Sequence, residues 1–378
     1  MISVQFDTHK TTTSQYRIVD DWGSMFLQWY AERRDKNRWS QIAVLSDEQV
    51  WALYKKRIHA VLSDLNRPLT PLILSSGEAS KEFSCLNEVV KKALHIGFHR
   101  HDLLLCVGGG VCCDLGGLFA LLYMRGIDYV NFPTSLMAQI DGAIGGKVGS
   151  NFELRKNLLG GFHHPLLVLI DPSFLCTLPE VHLRSAFSEA LKLAIILESE
   201  PLFNLLEKRM DALLRLEQEP VKELLEHCLR GKLQLLAGDP YESDLDRVLN
   251  LGHAVAHALE RLPVMPGQRQ PFHGEAVAIG LAATTRYALH TGLCSHRKAS
   301  RILRILEGFG LRLTLEAVWM KELRSQICRI PEHRGGRMRL VVPVDKGGVR
   351  ILDQADVEIL IQSLFPVRGG NQHGSSSL

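Results

Sequence analysis

The chain has 378 residues, 46% of them apolar and 22% charged, the balance of an ordinary soluble globular protein with room for two domains. A formal charge of +3 excludes the wide basic field that nucleic acid or an anionic membrane surface calls for, so any phosphate recognition has to come from local clusters. No apolar run reaches membrane-spanning length, since the longest, around Leu103 to Met124, is broken by Asp114 and by glycines and cysteines. The opening MISVQFDTHKTTT has no basic region followed by an apolar stretch, so no secretory signal is read there. Eight cysteines without a C-x-x-C pair read as free thiols of a cytoplasmic protein.

In chain order, residues 14–20 and 41–46 have the pattern of short strands. The second meets a helix near Gln49–Leu65 through Asp47, an N-cap residue. A strand at Leu72–Leu74 then leads through a polar turn to a helix from about Ser80 to His95. DLLLCVGGG (102–110) is an apolar strand running into a glycine turn and an apolar helix, and further strands are expected at Asp128–Phe132 and Leu166–Ile170. Apolar strands alternating with helices predict a mostly parallel sheet covered on both faces. After Leu178 the pattern is helical almost without interruption to about Leu323, and MRLVVPVDKGGVRIL closes with a strand pair around a Lys-Gly-Gly turn. The expected organisation is an α/β domain over residues 1–180, a helix-rich domain over 181–367 and a polar, disordered tail over 368–378.

Three constellations carry chemistry. His253 and His257 lie four apart in an apolar-periodic segment, and His273 opens a second one. Two imidazoles from adjoining helices plus a carboxylate make a three-ligand zinc site, and buried or capping histidines are the bland alternative. Glu189, in the otherwise apolar SAFSEALKLAIIL, supplies the missing anion, unless it only pairs with Lys192 three residues on. Secondly, Gly108-Gly109-Gly110, with Asp114 and Gly116-Gly117 behind, sits where a strand passes into a helix, a place for a pyrophosphate or simply a closely packed turn. Glu78 and Lys81, in the preceding turn, are placed to reach a ribose or phosphate. Thirdly, Thr134-Ser135, Gln139, Asp141, Gly145-Gly146-Lys147 and Lys156-Asn157 together resemble a polyanion cradle, while Arg125 at a helix end either meets the helix dipole or contacts phosphate.

The blocks GGGVCCDLGG, YMRG, PTSLMAQIDGAIGGK, KNLLGGFHHP, SEALK, LNLGHAVAHALE and HGEAVAIG resemble, in order, those of the sugar phosphate cyclases, the superfamily of 3-dehydroquinate synthase, from about Ser76 to Pro343. The resemblance implies an N-terminal Rossmann-like domain holding NAD, a helical C-terminal domain holding zinc (or cobalt), an active site between them, and a homodimer. It implies Glu189, His253 and His273 as metal ligands. For NAD it implies Asp47, Glu78, Lys81, Gly108, Gly109, Gly110, Val111, Asp114, Thr134, Ser135, Asp141, Lys147, Lys156, Thr177 and Leu178. For a small-molecule sugar phosphate it implies Asp141, Lys147, Asn157, Lys192, Lys232, Asn250 and His257, with Arg125 reaching across from a second copy. The implied chemistry is transient NAD-dependent oxidation, phosphate elimination, re-reduction and intramolecular aldol cyclisation.

Departures from the pattern point to the substrate. Where dehydroquinate synthases carry an arginine for the substrate carboxylate, this chain has Asp246, which repels an acid and accepts hydrogen bonds from hydroxyls. A paired-lysine motif near the C-terminal strands is also absent, with His333 and Arg334 the nearest substitutes. Both favour sedoheptulose 7-phosphate and a seven-carbon cyclitol of secondary metabolism; the alternative, with Arg247 taking the carboxylate, is 3-dehydroquinate synthase. DPYESDLDR resembles the valiolone-forming enzymes, and Asn250 with His257 resembles the 2-epi-valiolone more than the 2-epi-5-epi-valiolone synthases. A metal-dependent alcohol dehydrogenase of similar build is a third reading, separable because it leaves net NADH.

Overall fold

The computed structural model of the chain describes residues 12–33, 36–153, 155–242, 247–263, 269–315, 319–329 and 337–365. Asp246, His333, Arg334 and the expected tail at 368–378 lie outside the described residues. No helix among the described residues is long and apolar enough to cross a membrane. The chain separates into two compact units, one of residues 1–178 with 221–241, the other of 179–220 with 242–378. The first break falls where the apolar strands give way to helical periodicity, but the return of residues 221–241 to the first unit has no counterpart in that change of pattern.

The first unit is built from β1 (Gln15–Ile18), α1 (Trp22–Glu32), β2 (Ile42–Asp47), α2 (Glu48–Ser63), β3 (Leu69–Leu74), α3 (Phe83–His95), β4 (Leu103–Gly108), α4 (Gly110–Leu122), β5 (Asp128–Pro133), β6 (Lys147–Phe152), β7 (Arg155–Phe162) and β8 (Leu167–Ile170). Six strands form a parallel sheet in the order β1-β8-β5-β4-β2-β3. Successive side chains of a strand point to opposite faces. Ala43, Leu45, Leu104 and Cys106 therefore pack with α3 and α4, while Ile42, Val44, Leu103 and Leu105 pack with α1 and α2. Burial on both faces explains why these strands are continuously apolar.

Two elements go beyond the sequence reading. Helix α1 follows an Asp21 cap and buries Trp22, Phe26, Trp29 and Tyr30, a spacing of four, three and one that is itself helical. Strands β6 and β7 pair antiparallel, so Lys147, Lys156 and Asn157 stand on a hairpin and not on open turns. Its glycine content (Gly149, Gly160, Gly161) gives it little strand propensity.

The second unit contains α5 (Glu180–Leu197), α6 (Glu200–Lys208) and α7 (Met210–Leu214). It continues after α8 (Gln218–Ala237), which belongs from Val221 onward to the first unit. Then come α9 (His253–Leu259), α10 (His273–His290), α11 (His296–Gly308), α12 (Met320–Cys328), β9 (Leu340–Pro343), β10 (Val349–Leu352) and α13 (Val357–Leu364). Helix α10 is the centre: it packs against α5, α9, α11, α13 and β9 and is buried from Ala276 through Thr285. Small residues on α10 let its neighbours approach closely. A Cβ added at Gly280 would lie 2.0 Å from the carbonyl oxygen of Gly252, the left-handed residue (φ +79°) that opens α9. The Gly280→Ala variant is expected to lose about 1–3 kcal/mol of stability, the usual cost of overpacking a filled core. Urea unfolding of the metal-free protein checks it, and an unchanged midpoint would contradict the close approach.

Candidate metal centre and nucleotide-type turn

Glu189 lies in the middle of α5, where every residue from Ser185 to Ile196 is buried. Its carboxylate is 3% exposed and forms an ion pair with Lys192, itself 4% exposed. Burying either charge alone is costly, and one helical turn puts them side by side. The pairing anticipated for these two residues is therefore present, but in the interior and not on a solvated face.

Two imidazoles meet the same carboxylate. His253 Nε2 and His273 Nε2 each lie 3.5 Å from Glu189 Oε1. The donor atoms of all three residues fall within 4.8 Å of one another. A tetrahedral zinc with bonds of about 2.0–2.1 Å separates its ligands by roughly 3.4 Å, so the set fits such an ion. The far ring nitrogens are also held. His253 Nδ1 is 3.1 Å from the Leu251 carbonyl oxygen, and His273 Nδ1 is 3.0 Å from Glu260 Oε1. With a proton on each Nδ1, the two Nε2 atoms are the ones that face Glu189 and are left to take a metal ion or a proton.

Electrostatics separate the two histidines. Burial, with the Lys192 charge adding to it, pushes His253 down to about 3. Burial also opposes charge on His273, but hydrogen bonds to Glu189 and Glu260 outweigh it and raise the group to about 10. Desolvation works against the Glu189 carboxylate too, and Lys192 and the imidazoles overcome it, holding the acid well below its usual range. Cation and proton thus compete for one place at His273 Nε2.

Glu260 was not singled out by the sequence reading, although its position carried a signal. It follows His253 by seven residues and His257 by three, the spacing of one helical face. Glu275, by contrast, accepts from the Phe272 N–H at 2.8 Å and pairs with Arg269, and so caps α10.

A small cleft opens beside the triad, lined by Asn250, His253, His257, Arg247, Arg339 and Val341 among others. Asn250 ends a single 3-10 turn (Val248–Asn250), and His257 stands one turn beyond His253, their rings 5.4 Å apart. Arg247 Nη2 donates to the Glu242 carbonyl at 2.6 Å, which steadies its guanidinium. Asp246, on which the substrate reading leans, lies outside the described residues, so it is Arg247 that is seen lining the cleft.

In the first unit, the chain turns outward in opposite directions from β2 and β4, which are neighbours in the sheet. Their carboxyl ends form a topological switch point, the place where open α/β sheets receive ligands. Asp47 ends β2 and Gly108 ends β4 there, and a Cβ on Gly108 would meet Asp47 Oδ2 at 3.6 Å and Cys112 Cβ at 2.5 Å. A Cβ on Gly110 meets nothing within 4 Å, so the turn is tightly packed at its root and open at its tip. Val111 is in the first turn of α4, and Thr134 and Ser135 follow β5 at the same sheet end, Thr134 N–H donating to the Gly108 carbonyl at 2.9 Å. These residues fit a nucleotide pyrophosphate.

Other expected contacts form local networks. Lys81 Nζ bonds Asp114 Oδ2 and Asn157 Oδ1, both at 2.5 Å. Glu78 accepts from Asn151 at 3.0 Å and lies 3.6 Å from Lys156 Nζ. Lys232, on α8, donates to Asp141 Oδ1 at 2.7 Å and to its carbonyl at 2.6 Å. Asp47 caps α2, and the Thr177 hydroxyl, one residue before Leu178, shares a hydrogen bond of 2.7 Å with Tyr54. Lys147 is exposed at the start of β6, and Arg125 is exposed in a left-handed turn (φ +65°). Gln139, grouped with the cradle, is fully buried and donates to the Pro133 and Asp171 carbonyls; its role is to tie strand ends together.

The second carboxylate generates a test. Replacing Glu260 by Ala is expected to weaken zinc binding about 10–100-fold, the usual effect of losing such an orienting partner, with Gln losing less. Competition against a chromophoric chelator measures it, with the circular dichroism of the metal-free variants checking the fold. Unchanged zinc affinity would mean that Glu260 does not orient His273.

Comparison with known proteins places these features. The 3-dehydroquinate synthase N-terminal domain matches residues 71–185 and its C-terminal domain residues 186–329. The chain is 39% identical over 320 residues to a 2-epi-valiolone synthase from Stigmatella aurantiaca (strain DW4/3-1), spanning 81% of this chain and 77% of that protein. It is 32% identical over 358 residues to the 3-dehydroquinate synthase of Blochmanniella floridana, spanning 93% and 96%. Among solved structures, ValA, a 2-epi-5-epi-valiolone synthase from Streptomyces hygroscopicus subsp. jinggangensis 5008 with NAD+ and Zn2+ bound, superposes with a TM-score of 0.84 at 28% identity, over 95% of this chain and 98% of that one. With its α/β unit, its helical unit and the ordered blocks that both domains match, the chain belongs to the 3-dehydroquinate synthase family.

Proposed function

We propose that the chain is a sugar phosphate cyclase that converts sedoheptulose 7-phosphate into a seven-carbon cyclitol, 2-epi-valiolone or 2-epi-5-epi-valiolone, with release of phosphate. The observation that carries the substrate choice is Asp246, an acid where dehydroquinate synthases carry an arginine, in a chain 39% identical to a 2-epi-valiolone synthase. In this reading Glu189, His253 and His273 hold zinc, or cobalt in its place, and the turn from Gly108 to Asp114 with Asp47, Glu78 and Lys81 holds NAD. Zinc supplies a Lewis acid at an alcohol oxygen and NAD a hydride acceptor that is regenerated within each turnover.

The residues of the chain do the rest. Asp141 holds the Lys232 ammonium by two hydrogen bonds, so that the cation is oriented before any anion arrives. Lys192, pinned to Glu189, adds positive charge close to the imidazoles. Asn250 offers an amide to hydroxyls, and His257 is the candidate for proton transfer. Lys147, Asn157, Lys192 and Lys232 are proposed as substrate contacts, as the family resemblance implies. The same reading makes the enzyme a cytoplasmic homodimer with Arg125 serving the second copy. Leu122 and Met124, just before Arg125, are 53% and 44% exposed, apolar surface that a second copy would cover. Light scattering should give twice the chain mass, and Arg125→Ala should lower turnover; a monomer in solution sinks that part.

A second reading, 3-dehydroquinate synthase, draws support from Arg247 and Arg339, two guanidiniums lining the cleft in which a carboxylate could sit. The deciding experiment incubates the protein with NAD, zinc and either sedoheptulose 7-phosphate or the seven-carbon keto-acid phosphate, and follows phosphate release and products by NMR. A cyclic ketone from the sugar phosphate is expected, and Asp246→Arg should then improve use of the acid. Turnover of the acid alone would establish the second reading, and net NADH would point to a dehydrogenase instead.

A further inference from the structure

Asn151 belongs to none of the three constellations, yet it touches two of them. It lies on β6 at a break in the hairpin ladder: Ser150 pairs with Leu159 and Phe152 with Arg155, so Asn151 alone faces Lys156, Asn157 and Leu158. Such a bulge takes backbone groups out of the ladder and re-aims the side chains beside it. Asn157 is left-handed there (φ +52°), and its N–H donates to the side-chain Oδ1 of Asn151 at 3.0 Å. The other end of the same amide, Nδ2, donates to Glu78 Oε1 at 3.0 Å. Both partners have fixed roles, since a backbone N–H only donates and an ionised carboxylate only accepts. The place therefore calls for a donor and an acceptor on one short side chain, which an aspartate or a leucine of similar size does not supply. Asn151 is 5% exposed, so little water is at hand to stand in for it.

We propose that Asn151 is a positioning residue that ties the nucleotide side of the first unit to its sugar phosphate side. Through Glu78 it sets the acid assigned to NAD, and through the bulge it sets Asn157, assigned to the substrate. The two ends are joined further. Lys156, next to Asn157, lies 3.6 Å from the same Glu78 Oε1, and Lys81 donates to Asn157 Oδ1 at 2.5 Å while paired with Asp114. Without the Asn151 donor, Glu78 is left with the longer contact to Lys156; without the acceptor, the Asn157 N–H has no bond to hold the bulge in shape. Docking of the hairpin does not depend on this side chain, because the backbone of Asn151 forms a bridge with Glu82 and a Cβ on Gly117 of α4 would lie 2.3 Å from Val148 of β6. The roles given to Glu78 and Asn157 rest on the cyclase reading, whereas the hydrogen bonds of Asn151 do not.

The test is calorimetric titration of NAD into the zinc-loaded protein, with steady-state kinetics on sedoheptulose 7-phosphate at saturating NAD. Asn151→Asp keeps an acceptor for Asn157 but sets a second carboxylate against Glu78. It is expected to weaken NAD binding about 10-fold or more, the loss of a charge-assisted hydrogen bond, with little change in KM for the sugar phosphate. Asn151→Ala loses both bonds, so it should weaken NAD binding and also raise that KM by about 2–10-fold. In a Glu78→Gln background an amide donor again faces the acid, and Asn151→Asp should then cost NAD binding only about 2-fold or less. Unchanged NAD affinity in Asn151→Asp overturns the proposal, as does an equal cost in both Glu78 backgrounds. A purely structural role would lower NAD affinity and raise KM together in both variants, in step with the urea midpoint, and that result also overturns it. Should Asn151→Ala not fold, Asn151→Leu carries its arm. If sedoheptulose 7-phosphate is not turned over, the substrate reading fails while the NAD titration still decides the role of Asn151, so the two failures are distinguishable.

Discussion

The backbone contact between Gly252 and Gly280 is the close approach that sets the helices of the candidate metal centre against each other. With no side chain at Gly280, the first turn of α9 lies directly against the middle of α10. His253 opens α9 next to Gly252, and His273 opens α10 two turns before Gly280; with the helices this close, the two imidazole rings come within 5.4 Å. Glu189 supplies the third side from α5, a helix whose burial keeps its carboxylate almost without water. A buried acid of this kind persists only with partners, and among the described residues it has Lys192, His253 and His273. The polar cluster is compact because its surroundings are apolar and closely packed.

The first unit brings the carboxyl ends of β2 and β4 together at one sheet end, the candidate place for a nucleotide pyrophosphate. Its parallel strands are covered on both faces, so ligands have access only at the ends or edges. The direction of the chain changes between β2 and β4, and the glycine turn lies at that place. The charged residues around it are not loose solvated cations. Lys81 is shared between Asp114 and Asn157, Glu78 joins Asn151 and Lys156, and Lys232 is bound twice to Asp141. Pre-orientation of this kind lowers the reorganisation needed when an anion binds.

The two arginines of the cleft bear on how the substrate argument stands. A simple exchange of arginine for aspartate would have left a cleft rich in acceptors. Instead Arg247 lines the cleft, and Arg339 joins it from the residue before β9, far along the chain. The seven-carbon sugar phosphate and the keto-acid phosphate both carry a phosphate, so cations here are compatible with either. What separates them is the group at the other end of the molecule, where Asp246 was expected to act.

Much of this protein is legible in its residues. Short, continuously apolar runs alternating with helices mark the parallel sheet, period-3.6 patterns mark the helical half, Asp47 marks a helix start, and Glu189, His253 and His273 stand out because charged or metal-binding types interrupt apolar helices. Those are local signals, set by backbone geometry and by the cost of burying a polar group. Tertiary structure alone decided which of several acids faces which histidine: Glu260 is orienting, Glu275 a cap. It also decided that Gln139 ties strands together, that the lysines after Gly146 stand on a hairpin, and that Arg339 shares a cleft with residues roughly ninety positions away. Such pairings depend on how elements pack, and packing is settled by shape and by close approaches such as that of Gly252 and Gly280, which no periodicity along the chain encodes.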